Sequence, residues 1–222
     1  MPYSDFISLL KSHAESDFAA FQRKLISTPR QILGVRTPML RRLAKTYKGT
    51  LDTLFSYPNE YYETVFIKLT ILSSLPYPQF IDRLTEGVAL IDNWALCDSF
   101  KCKAIATHKK EFLPILDKLY LQEKEFFQRY VLVSLLYFYV DVEYIPTIQS
   151  YIQRANTKSY YVHMAVAWLI AEVLTKQYEE GLNLLKAIRN DVKTYNKAIQ
   201  KALESFRLTK EQKDNLRSLK IK

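Results

Sequence analysis

Glycine is scarce in this chain, at four residues in 222. Phosphate-cradling loops need glycine where the backbone must approach a ligand closely, and neither GxGxxG nor GxxxxGK[ST] occurs. Cysteine is scarcer still: Cys97 and Cys102 are the only two, with no CxxC and no Cys/His cluster. They are expected as small buried thiols in a reduced, cytoplasmic setting, and no metal or other cofactor is expected. The three histidines are scattered, and HExxH, GxSxG and Ser/His/Asp signatures are all missing. His163 lies among helical apolar residues and reads as a satisfied core histidine, with a catalytic histidine the less favoured alternative. No apolar run reaches the roughly 20 residues of a spanning helix, so no membrane partner is expected. The opening "MPYSDFISLL" lacks a basic region followed by a long apolar one, so no signal peptide is expected.

What is present is apolar and basic. Hydrophobic residues make up 48%, enough for a sizeable core, read here as a single domain over residues 1–222. The net charge is +9, which favours an anionic partner, nucleic acid before a membrane surface. The charge is unevenly placed. From Leu182 to Lys222 there are 11 Lys/Arg against 4 Asp/Glu, so this stretch holds +7 of the total. Lys193, Lys197 and Lys201 recur every four residues and share one helical face. A second basic group lies near the N-terminus: Arg30, Arg36, Arg41, Arg42 and Lys45. Either group is also readable as an ordinary solvated surface.

Apolar residues recur at spacings of three and four, so the fold class is expected to be all-α. Phe18, Phe21 and Leu25 fit one face. So do Leu40, Leu43, Ala44 and Tyr47, and so do Phe66, Leu69, Thr70 and Ser73. "FFQRYVLVSLLYFYV" is apolar nearly all round and is expected as a central buried helix. Breaks are short and often carry proline. Thr37 before Pro38 suits a Thr N-cap, and "DNW" offers Asp92 or Asn93 as a cap before Trp94. Long helices are expected to begin near Trp94, Lys124, Lys158 and Asp191. Each would be followed by a shorter one, in "KEFLPILDKLYL", "VEYIPTIQSYIQ" and "YEEGLNLLKAI". Paired helices at a period of about 30 to 35 residues read as an α-solenoid of HEAT type, curved, with a basic concave face. An irregular helical bundle is the alternative.

"DNWALCDSF" poses the chemical question. Trp94 and Asp98, four apart, share a helix face, and a carboxylate there needs a positive or hydrogen-bonding partner. Read alone, Asp98 is more readily a salt-bridge partner than a site residue, and Trp94 and Trp168 more readily core residues. Five stretches together resemble the DNA alkylation repair family, the HEAT-like-repeat alkylpurine DNA glycosylases. They are "LGVRTPMLRRLAK", "NWALCDSF", "FFQRYVLVSLLYF", "YYVHMAVAWLIAEV" and "YNKAIQKALESFRL", in the family's order along nearly the whole chain. The resemblance implies that Asp98 is the catalytic carboxylate. It implies that Trp94 and Trp168 line the cleft, and that Arg129 meets both carboxylate and DNA phosphate. A purine alkylated at N3 or N7 is already cationic and leaves without a general acid, so one carboxylate can suffice, stabilising an oxocarbenium-like sugar. Indole faces attract such a cation. Arg36, Arg41, Arg42, Lys45, Lys193, Lys197 and Lys201 are then expected on the DNA backbone.

Two positions depart from the family pattern. The N-terminal groove helix is shortened, with Phe21 or Gln22 where active members have a tyrosine. Ala171 stands where they often have an arginine. These departures favour binding without excision, while the resemblance as a whole implies a DNA repair enzyme, a monofunctional glycosylase acting as a monomer on duplex DNA that is alkylated or branched. A DNA-binding paralogue with little catalysis and a helical-repeat interaction scaffold are the alternatives.

Overall fold

A computed structural model describes residues 1–221. Among them are fourteen α-helices and three short 3-10 turns, with two isolated bridges and no strand. No described helix is long and apolar enough to cross a membrane. The chain divides into two compact units, one spanning Met1–His108 and a second beginning at Lys109.

The first unit holds α1 (Tyr3–Ser12), α2 (Ser16–Leu25), α3 (Thr37–Thr46), α4 (Leu51–Ser56), α5 (Tyr62–Leu72), α6 (Tyr77–Ala89) and α7 (Trp94–Ser99). At its centre is α5, buried all round, with α3, α4, α6 and α7 packed against it. Two charged residues lie within this apolar helix, Glu63 at 0% exposure and Lys68 at 1%. Both find partners, Glu63 through one of its two carboxylate oxygens. Glu63 Oε1 accepts N–H bonds from Leu33 (3.0 Å), Gly34 (2.8 Å) and Val35 (3.4 Å). Lys68 Nζ donates to the Tyr57 carbonyl and to Asn59 Oδ1, both at 2.7 Å. Tyr57 ends α4, so this ammonium sits at a helix C-terminus, where the dipole favours a cation.

Burial nonetheless lowers the Lys68 pKa from 10.5 to about 8. Between those values the unfolded chain binds more protons than the folded one, so this lysine should make stability rise with pH across that window. The full rise is about 3 kcal/mol. Urea denaturation at pH 7.5, 9 and 10 should show most of this increment, about 2 kcal/mol, in wild type relative to Lys68→Met, a difference that cancels titrations common to both.

The loop before α3 lies directly on α2. Gly34 has φ +90°, and a Cβ there would fall 2.3 Å from the Glu15 carbonyl oxygen and 2.8 Å from Ala19 Cβ. This close approach requires a small residue on α2 beneath the loop, which is Ala19, and α2 buries Ala19 and Gln22. The expected apolar face of α2 is therefore outward: Phe21 is 55% and Leu25 51% exposed, with Phe18 half-buried. Phe18 stacks on Phe21 at 6.3 Å and lies 4.2 Å beneath the Arg36 guanidinium.

In α3, Leu40, Leu43 and Ala44 are buried as their spacing predicts. The start is one residue earlier than expected: Arg36 occupies the cap position without a side-chain cap, and Thr37 and Pro38 are the first helical residues. The cap of α7 is Asn93, whose Oδ1 accepts from Leu96 N at 3.0 Å. The long helix expected from Trp94 is six residues long. It stops where Phe100 leaves helical geometry and buries its ring against Gly87, so close that a Cβ on Gly87 would be 2.7 Å from Phe100 Cζ. Cys97 and Cys102 are buried and neither is in a disulfide.

The second unit holds α8 (Lys109–Tyr120), α9 (Glu125–Phe138), α10 (Ile145–Gln153), α11 (Tyr160–Lys176), α12 (Tyr178–Ala187), α13 (Val192–Leu203) and α14 (Lys210–Ser218). The expected starts near Lys124, Lys158 and Asp191 fall within two residues of α9, α11 and α13. The expected long–short order fails at the first start, Trp94, where six-residue α7 precedes twelve-residue α8. Both α9 and α11 are buried nearly all round, as their sequences require. Central α11 packs on α9, α12 and α13, while α8 packs on α9 and α14 on α13. Arg129 meets Tyr161 and Tyr137 meets Trp168, so α9 and α11 run parallel. His163 meets Thr194 and Glu172 meets Arg207, so α11 and the chain through α13 run in the same sense.

Candidate functional site

In the first unit the candidate residues lie on α7. Trp94, its first residue, is 37% exposed, and its Nε1–H donates to the Leu25 carbonyl at 3.0 Å. The indole is thus held against the end of α2. Asp98 follows one helical turn later, half-buried on the same face, while Leu96 and Cys97 pack inward. The start of α7 is braced again through Asp92, which accepts from Thr28 Oγ1 and Asn93 Nδ2, both at 2.7 Å, and pairs with Arg30. Arg30 also donates from Nε to the Asn59 carbonyl. It belongs to this brace rather than to the N-terminal basic group.

The remaining cations of that group differ among themselves. Arg36 grips Glu15 through Nε and Nη2 at 2.7–3.1 Å. The pairing raises the Arg36 pKa and lowers that of Glu15. Arg41, Arg42 and Lys45 project from the exposed face of α3, with Arg42 Nη2 3.0 Å from Met39 Sδ. Their placement depends on Glu63, which holds the three amides immediately before Arg36.

In the second unit Arg129 and Trp168 lie at the seam of α9 and α11. Arg129 is buried, donates from Nη1 to the Tyr161 carbonyl at 3.0 Å, and lies 5.8 Å over the Tyr161 ring. Trp168 is half-buried and meets Tyr137 edge-on at 5.9 Å. Ala171, three residues on, is buried, so an arginine there would have to enter the core. His163 is a structural residue. The Thr194 hydroxyl donates to Asp191 Oδ2 at 2.6 Å, so its oxygen accepts from His163 Nδ1 at 2.9 Å. Burial, then Lys193, depresses the imidazole pKa. On α13, Lys193 is exposed, Lys197 is half-buried with its ammonium on Gln200 Oε1 at 2.9 Å, and Lys201 is half-buried.

The structure thus brings Trp94 and Asp98 onto one face of α7, and Arg129 and Trp168 to one helix seam. Sequence reasoning missed Glu63 and Tyr161. Glu63 had a signal, a carboxylate inside an otherwise apolar helix. Among the described residues no group of three or more His, Cys, Asp or Glu could hold a metal ion. No curated protein and no solved structure matches the chain significantly. The sequence model of the family described as DNA alkylation repair enzyme matches residues 6–206, nearly the whole chain. The chain therefore belongs to the DNA alkylation repair enzyme family.

Proposed function

We propose that this protein binds duplex DNA and hydrolyses the N-glycosidic bond of purines alkylated at N3 or N7. The observation that carries the reading is the face of α7: a carboxylate, Asp98, one turn beyond an exposed indole whose position is fixed by a hydrogen bond to Leu25. In the reaction the bond from C1′ to the base breaks with its electron pair going to the base, which leaves neutral. Positive charge develops on the sugar, and the Asp98 carboxylate stabilises it. Water adds at C1′ and loses a proton. Trp94 attracts the cationic base through its ring face; in the second unit Trp168 offers an aromatic face and Arg129 a charge for phosphate. The parallel α9, α11 and α13, with α10 and α12 returning between them, support a HEAT-like repeat in the second unit.

Release of methylated purine from N-methylated duplex DNA tests the reading. Slow release supports it. DNA binding without release favours a second reading, a DNA-binding paralogue. Buried Ala171, and Phe21 or Gln22 in place of a tyrosine, speak for that alternative.

Binding itself has a residue-level expectation. Affinity should be micromolar and fall steeply with salt, because bound Lys/Arg displace counterions. The Arg41→Ala/Arg42→Ala/Lys45→Ala protein should reduce the log–log salt slope by up to about 3. Arg36→Ala should change the slope little, because Glu15 already neutralises that guanidinium. Fluorescence anisotropy titrations at 50 to 200 mM salt, roughly the range over which such contacts are read, measure both. An unchanged slope in the triple variant would remove α3 from the interface.

A further inference from the structure

We propose that Tyr160, backed by Tyr161 and Phe126, is a stacking platform for a nucleobase outside the double-helical stack, as in a bulge, an overhang or a displaced strand. The proposal rests on the DNA-binding reading above and deepens it.

Tyr160 is the first residue of α11 and is 58% exposed. Its ring is backed on the protein side: it meets Tyr161 at 5.2 Å and 75°, and Tyr161 meets Phe126 at 5.0 Å and 37°. Arg129 lies over the Tyr161 ring and bonds its carbonyl. An aromatic group ordered in advance loses little freedom when a flat ligand settles on it.

The chemistry around the ring favours a base over a phosphate. A helix start is ordinarily an anion site, but this one is taken: Glu125 Oε1 accepts the Tyr161 N–H at 2.9 Å. The next parallel helix is filled in the same way, with Asp191 Oδ1 on Thr194 N at 3.1 Å. A phosphate at Tyr160 would also meet the Glu125 carboxylate. A neutral base meets no such repulsion, and every base offers a π face to a tyrosine. Lys158, two residues before the ring, is exposed, as is Lys124, whose ammonium lies 5.3 Å over Phe127. These cations suit the flanking phosphates. Bases inside a duplex already have both faces covered, so the platform selects DNA with a base out of the stack.

The test is anisotropy titration of the full chain with three DNAs: a paired duplex, the same duplex with one bulged base, and a single strand. Tyr160→Ala should lose about 5- to 100-fold in affinity for the bulged and single-stranded DNAs and less than about twofold for the paired duplex, with the salt slope unchanged. Tyr160→Phe should retain wild-type binding. Lys158→Ala should lower the salt slope by about 1 on every DNA. Equal binding of bulged DNA by wild type and Tyr160→Ala, with wild-type affinity intact, overturns the platform alone. Absence of wild-type binding to any of the three DNAs at low salt overturns the DNA-binding reading and the platform with it.

Discussion

Asp98→Asn should slow release of a 7-methylpurine from duplex DNA by about 10²- to 10³-fold, the usual effect of removing one preorganised charge from a transition state. The substitution keeps the shape of the side chain and removes only its charge. Affinity for unmodified duplex should therefore stay within about twofold of wild type. Stability should be unchanged or slightly higher, because in the enzyme reading the site holds this charge under electrostatic strain. Single-turnover rates and urea denaturation separate the outcomes. An unchanged rate removes Asp98 from the chemistry. A loss of several kcal/mol in stability would make it a structural ion-pair partner instead. Trp94→Ala should give a smaller fall in rate, and its effect also includes the lost hydrogen bond to Leu25.

Glu63→Ala should destabilise the protein by about 3–5 kcal/mol, since it leaves the Leu33, Gly34 and Val35 amides buried without their acceptor. Glu63→Gln keeps an acceptor oxygen and should cost about 1–2 kcal/mol. The loop these amides belong to leads into Arg36 and the exposed cations of α3, so DNA affinity should fall with stability in Glu63→Ala. Urea denaturation followed by circular dichroism measures the first effect. A loss below about 1 kcal/mol would mean that Gly34 and its contact with α2 hold the loop unaided.

Helices were legible wherever one face alone decides burial. Leu40, Leu43 and Ala44 pack inward at the spacing that announces them, and the apolar lengths of α9 and α11 are buried as such lengths must be. Faces decided by a distant glycine were not legible. Nothing within "SDFAAFQRKL" says that Gly34 will press on Ala19 and leave Phe21 outside. The length of α7 was hidden for a similar reason, since Phe100 is turned inward by a gap over Gly87. At the candidate site, the residues of Trp94 and Asp98 could be named from spacing and resemblance. The hydrogen bond from Trp94 to Leu25 crosses 69 positions and leaves no local trace. The charges on α3 were visible, but their unequal availability was not, because Glu15 neutralises one of them from 21 residues away.

The polar bonds that join neighbouring long helices share a further property. Glu125 reaches Tyr161, Gln128 reaches Asn156, and His163 reaches Thr194, across 36, 28 and 31 positions. Each links one helix pair to the next and stops there. Each step of assembly within the second unit therefore closes a loop of similar, modest length. Under the proposed HEAT-like reading, such a unit can nucleate at any of its helix pairs and grow by adding neighbours. The central pair around α11, held on two sides, is then the last to open, while α14, held through α13, is free to open early.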